Sequence, residues 1–275
     1  MLDRMKGPVL KTRDEIAIMD RANKIVLDIL EMMRTMIKPG VTTAQINAMA
    51  EEELAKRGAK SPFKGYAPMN LPPYPAVVCA SANDVIVHGI PNRAKLQDGD
   101  IIGLDFGAIL DGFVGDGAIT VAVGKVSPRT ESLVQTTKEC LDLAIEEMRP
   151  GRHIGDIGAA VQEHAESRGF HVIRSFVGHG IGRRMHEEPQ VYNYGKRGRG
   201  LELREGMVLA IEPMLCEIGA KLKSRIERSG RDGVIQDVKT DSDGWTARTV
   251  DGTMAAHFEH SVAVTKNGPL VLGKS

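Results

Sequence analysis

Two aspartates, Asp105 and Asp116, stand beside the apolar runs Ile101 to Phe106 and Ala118 to Val123. Between them, Leu110-Asp111-Gly112-Phe113 has the form of a two-residue hairpin turn, with Asp-Gly where positive φ is needed. Pairing Leu110 with Phe113 sets Asp116 opposite Gly107, whose same-face neighbour two residues away is Asp105. Two carboxylates on one face of a core hairpin are costly to bury without a cation. Metal ligation therefore competes on equal terms with the turn or surface role that is usual for a single acid.

Further along, Gly178-His179-Gly180-Ile181-Gly182 is too glycine-rich for a helix and reads as a loop that brings backbone and His179 close to a bound group. Its glycines miss the dinucleotide fingerprint, and Gln190 occupies the place of the second histidine in an H-E-x-x-H zinc motif begun at His186. Glu212 ends an apolar strand before Pro213, and Glu259 opens the apolar run that follows Phe258. Taken singly, each histidine reads as a hydrogen-bonded structural residue, and each glutamate as exposed on one face of a strand.

The elements that must carry these residues repeat. Thr12 and Glu15 have capping-box spacing ahead of a helix through Ile18, Ala22, Ile25, Ile29 and Met33 that stops near Pro39-Gly40. Thr42 and Gln45 open a second helix that ends at Gly58. A helix from Ser132 to Met148, then one through Ile157, Val161 and Ala165 to Gly169, restate the pattern at a fixed offset. Pro39 with Pro150, Gly40 with Gly151, Ile46 with Ile157 and Arg57 with Arg168 are all 111 residues apart. Strands are expected over Ala76 to Cys79, Ile101 to Phe106 and Phe113 to Val123. In the second half they are expected over Val172 to Val177, Met207 to Ile211 and Phe258 to Thr265. The chain reads as two similar α+β halves with a functional cleft between them.

Composition narrows the classes. With 275 residues, 42% of them hydrophobic, the chain can bury a large core, and its 36 basic and 36 acidic residues leave no net field to hold nucleic acid or an anionic membrane. The basic stretch Lys196 to Arg204 reads as a solvated loop, with a transient ribosome or RNA contact given little weight. Cys79, Cys140 and Cys216 are too few and too scattered for a disulfide framework or a structural zinc cage, which fits a reducing compartment. No segment has the roughly 18 apolar residues of a membrane span, and Met1 to Leu10 lacks a signal peptide's apolar segment. A cytoplasmic location is expected.

The segments NDVIVHGIP, GLDFGAILDGFVGDGAI, GHGIGRRMHEEPQVYNYG, AIEPM and HFEHSVAVT, in that order, resemble the type I methionine aminopeptidases over nearly all of the chain. The resemblance implies one α+β catalytic domain over residues 1–275 with the pita-bread fold. Its pseudo-twofold halves would span about 12–125 and 126–270, with antiparallel sheets enclosing a central metal site. It implies that Asp105, Asp116, His179, Glu212 and Glu259 hold two divalent metals, bridged by Asp116 and Glu259. Four carboxylates balance two dications and leave a neutral imidazole as fifth ligand. Ligand type does not choose among Co, Mn, Fe and Zn.

The same resemblance implies that Glu212 takes the proton of a metal-acidified water, that His88 contacts the scissile amide nitrogen, and that His186 positions or polarises the carbonyl. Phe63, Tyr66, Tyr74, Cys79, Met185 and Trp245 would form the methionine pocket, with His88 and His186 at its edge. The implied substrate is the N-terminal initiator methionine of nascent polypeptides before a small second residue, and the implied state is a monomer. Ala67 to Pro73 and Glu217 to Asp241 are longer than the type I pattern; the second reads as an exposed flexible loop. The alternatives are an X-Pro aminopeptidase of the same fold and an inactive pita-bread binding module. The HEEPQV context speaks against the first, and the intact ligand set against the second.

Overall fold

The computed structural model describes residues 7–68, 71–229 and 234–274, so Met1 to Lys6 of the terminal segment discussed above lie outside it. Helix α1 (Arg13–Met36) opens on the expected capping box, with the Glu15 N–H donating to Thr12 Oγ1 and the Thr12 N–H to the Glu15 carboxylate. Met19, Ala22, Val26, Ile29, Leu30 and Met33 form its buried stripe, with Ile18 and Ile25 at the edges. Helix α2 (Thr43–Lys56) follows from N-cap Thr42. Strands β1 (Val78–Ala82), β2 (Val85–Val87), β3 (Ile101–Leu110) and β4 (Phe113–Ala122) come next. Helix α3 (Pro128–Glu146) begins four residues earlier than Ser132, because Ser127 caps it and Pro128 fits the first turn, where no N–H is needed. Helix α4 (Ile154–Ser167) has the 14-residue length of α2 and lies 111 residues further along.

Beyond α4 come β5 (His171–Val172), β6 (Gly178–Gly180), β7 (Glu187–Val191), β8 (Val208–Ile211) and β9 (Met214–Cys216). Helix α5 (Ala220–Ser229) precedes β10 (Val238–Thr240), β11 (Ala247–Thr249), β12 (Ala255–His257), β13 (Glu259–Thr265) and β14 (Gly268–Val271). Two expectations are corrected. Val172 to Val177 is not one strand: β5 stops at Val172, and residues 173–177 turn so that Arg174 N–H and Ser175 Oγ can donate to the Asp237 carboxylate. Glu217 to Asp241 is not an exposed loop throughout, since it contains α5, whose Leu222 is buried, and the fully buried Asp237.

The largest sheet runs β1-β3-β4-β13-β8-β6-β7, with β14 on β13, and its pairs are antiparallel. Strands of the two halves meet edge to edge where Glu259 pairs with Ala118. One core lies between this sheet and α1 and α2, another beneath α3 and α4. Gly115 allows α1 to approach closely, because a Cβ there would stand 2.7 Å from the backbone of Ala22 and Asn23.

Candidate metal centre and its pocket

Register alone places five side chains on one face. Leu110 pairs with Phe113 and Gly107 with Asp116. Asp111 and Gly112 both have positive φ (49° and 78°), as a two-residue hairpin of this kind requires. Ala118 pairs with Asp105 on one side and Glu259 on the other, so these two acids flank it on the face that Asp116 also shares. Two residues beyond Glu259, Ser261 pairs with Ala210, which pairs in turn with His179. Glu212, two residues past Ala210, follows the same side as β8 ends. The five residues thus come from, or directly follow, the successive strands β3, β4, β13, β8 and β6. Small residues at 118, 210 and 261 leave room above the sheet.

The glycines flanking His179 have a stricter role than the loop expected for them. Gly178 to Gly180 is a strand in which a Cβ on Gly178 would fall 2.4 Å from the Ala210 carbonyl oxygen, and one on Gly180 would fall 2.3 Å from that of Glu188. The glycines therefore press β6 between its neighbours and fix His179.

The donor set fits a cation. Nε2 of His179 lies 3.9 Å from Asp116 Oδ2 and 3.5 Å from Glu212 Oε1, and ligand atoms of Asp116, His179 and Glu259 all lie within 4.8 Å of one another. Asp105 Oδ1, Asp116 Oδ1 and Glu259 Oε1 are buried without a hydrogen-bond partner, an arrangement that costs several kcal/mol per charge unless a counter-ion is supplied. Burial pushes Asp105 up to about 7. Asp116, Glu212 and Glu259 rise well above the carboxylate range through burial and then through their mutual repulsion. His179 is pushed down to about 4 by burial, then by His186, and stays neutral as a nitrogen ligand must.

A cavity of about 430 Å³ opens from this cluster, and all the candidate metal-ligating, catalytic and methionine-pocket residues named in the sequence line it. Phe63, Tyr74, Cys79 and Trp245 pack as one apolar group, with Met185 against it. Trp245 meets the Tyr74 ring edge-on at 5.2 Å and donates from Nε1 to the Pro72 carbonyl at 2.8 Å, so Pro72 buttresses the pocket wall, while residues 69 and 70 of the long 67–73 segment lie outside the described residues. His88 follows β2 with φ 61°, a left-handed conformation rare outside glycine. Its ring stands edge-on to Phe176 and Trp245. Tyr66 is a pocket residue with a second contact, its hydroxyl lying 3.1 Å from Nδ1 of His186. The turn carrying His186 is pinned by Glu187, whose buried carboxylate accepts from Lys11 Nζ at 2.7 Å and from the Arg184 N–H at 3.1 Å.

Sequence reading missed Phe176 and Leu71 on the wall and His257 at the floor. His257 was open to discovery through alternation, since it stands two residues before Glu259.

Residues 17–266 match the model of metallopeptidase family M24. The methionine aminopeptidase of Aquifex aeolicus is 45% identical over 269 residues, covering 96% of this chain and 97% of its own length. The chain belongs to the methionine aminopeptidases of family M24. The crystal structure of the Thermotoga maritima methionine aminopeptidase superposes with a TM-score of 0.88 at 41% identity, covering 98% of this chain and 100% of that one. A Xaa-Pro dipeptidase from Bacillus anthracis reaches 0.72 at 21% identity over 98% of this chain and 62% of its own, a likeness of fold alone. The chain thus has the pita-bread α+β fold and is a metallo-aminopeptidase.

Proposed function

We propose that the chain removes the initiator methionine from nascent polypeptides that carry a small second residue, using two divalent metals held by Asp105, Asp116, His179, Glu212 and Glu259. The observation that carries this reading is the buried, unpartnered carboxylate cluster at the floor of an apolar cavity. Metals bound there supply an acidified water and Lewis-acid polarisation of the substrate. Asp116 and Glu259, whose ligand atoms lie within 4.8 Å of one another and of those of His179, would hold the metals from the middle of the donor set. Glu212, whose proton affinity burial raises, would as a carboxylate accept the proton of the attacking water and return it to the leaving amine.

His88 is pushed down to about 4 by burial, so as a neutral ring it offers one N–H and one lone pair to the scissile amide. His186, with Nδ1 turned to the Tyr66 hydroxyl, is left with Nε2 to donate to the carbonyl oxygen. Phe63, Tyr74, Cys79, Met185 and Trp245 supply the soft, largely apolar wall that suits an unbranched thioether. The reading places the enzyme in the cytoplasm as a monomer; among the described residues no helix is long and apolar enough to cross a membrane. Metal content and methionine release measured together on wild type and Asp116→Ala test the reading. Loss of both in the variant supports it, and full activity without bound metal would refute it.

A further inference from the structure

Beside the acids of the cluster stands a buried imidazole that the proposed reaction does not use. His257 ends β12 and is 4% exposed. Its backbone is bracketed by one side chain: the Thr120 hydroxyl accepts from the His257 N–H at 2.9 Å and donates to the His257 carbonyl at 2.8 Å. The residue is therefore fixed against β4, and its ring is delivered into the cavity. A histidine serving only the core would have its polar nitrogens hydrogen-bonded. Nε2 of His257 is buried and has no partner.

That atom faces two of the acids. It lies 3.9 Å from Glu212 Oε2 and 4.0 Å from Glu259 Oε2, beyond hydrogen-bond reach of either. Two donors that each bind one ion at about 2.1 Å can stand at most roughly 4.2 Å apart. His179 keeps the same kind of spacing, 3.5 Å from Glu212 Oε1 and 3.9 Å from Asp116 Oδ2. Glu212 therefore turns one oxygen toward each histidine. We propose, resting on the metal-centre reading above, that His257 is a sixth protein ligand, giving the centre a second imidazole on the side of Glu212 and Glu259.

A second neutral imidazole leaves the charge balance of four carboxylates and two dications unchanged. It adds a nitrogen donor to a centre otherwise dominated by oxygen, which shifts preference toward metals that favour imidazole.

The test uses full-length metal-free protein titrated with Co²⁺, by calorimetry and by proton NMR of exchangeable imidazole N–H signals displaced by the paramagnetic ion. Wild type is expected to show two such signals. His257→Ala and His257→Gln should each show one and bind one of the two ions at least about tenfold more weakly. Glutamine keeps a hydrogen-bond donor in place, so weakened Co²⁺ binding in His257→Gln as well as in His257→Ala separates ligation from positioning. A single displaced signal in wild type, or variants with unchanged affinity, would overturn the role of His257 alone, and the wild-type count decides even if the alanine variant does not fold. A wild type that binds no Co²⁺ would instead overturn the metal-centre reading.

Discussion

The hydroxyl of Tyr66 stands 3.1 Å from Nδ1 of His186, so one residue of the cavity wall holds the histidine proposed to meet the substrate carbonyl. With the phenol donating, the ring proton of His186 is kept on Nε2, the nitrogen left for the substrate. Tyr66→Phe is expected to lower kcat about five- to tenfold, the value of one hydrogen bond, with bound metal unchanged. Steady-state kinetics alongside metal analysis reads this; an unchanged kcat would remove Tyr66 from that role.

His186→Ala should lower kcat further than Tyr66→Phe while sparing metal content, because the donor itself is lost rather than its orientation. Unchanged turnover in that variant would take His186 out of the reaction.

The metal-free protein should lose stability as pH rises above 6.5. Asp105, with its folded value raised to about 7, and Asp116, Glu212 and Glu259, raised well above the carboxylate range, stabilise the fold while protonated and lose that contribution as pH passes through the folded values. His88 and His179, lowered to about 4, and His257, lowered to about 3, act in the opposite sense, but only below their ordinary value of 6.5. Thermal melting from pH 6.5 to about 8 should therefore show a falling Tm without metal and a flat or rising one with Mn²⁺. A Tm independent of pH without metal would contradict this electrostatic picture.

Asp237 ties the segment around α5 to the turn before β6, accepting from His171, the Arg174 N–H and Ser175. Although burial opposes it, those hydrogen bonds hold its carboxyl below the usual range. Asp237→Ala leaves these donors unpaired and should destabilise the protein by about 3 kcal/mol. Chemical denaturation measures it, and a change under about 0.5 kcal/mol would mean the contact is dispensable.

Sequence legibility followed chain distance. Capping boxes at Thr12 and Thr42 and the Asp111-Gly112 turn are local signals, and they located α1, α2 and the register that unites Asp105 with Asp116. The pairings of β4 with β13, β13 with β8, and β8 with β6 join remote segments with no turn between them. For that reason His179, Glu212 and Glu259 were reached through motif resemblance and not through geometry. The broken strand after Val172 and the burial of Asp237 depend on each other across more than sixty residues, and neither end carries a local signal of it.

The most direct test of the central claim is methionine release from Met-Ala-Ser by metal-stripped protein, before and after addition of Mn²⁺, Fe²⁺ or Co²⁺, with an Ala-Pro peptide alongside. Methionine release that appears only with metal, and no cleavage of Ala-Pro, is the predicted result. Preferential cleavage of Ala-Pro, or inactivity with every metal, would contradict it.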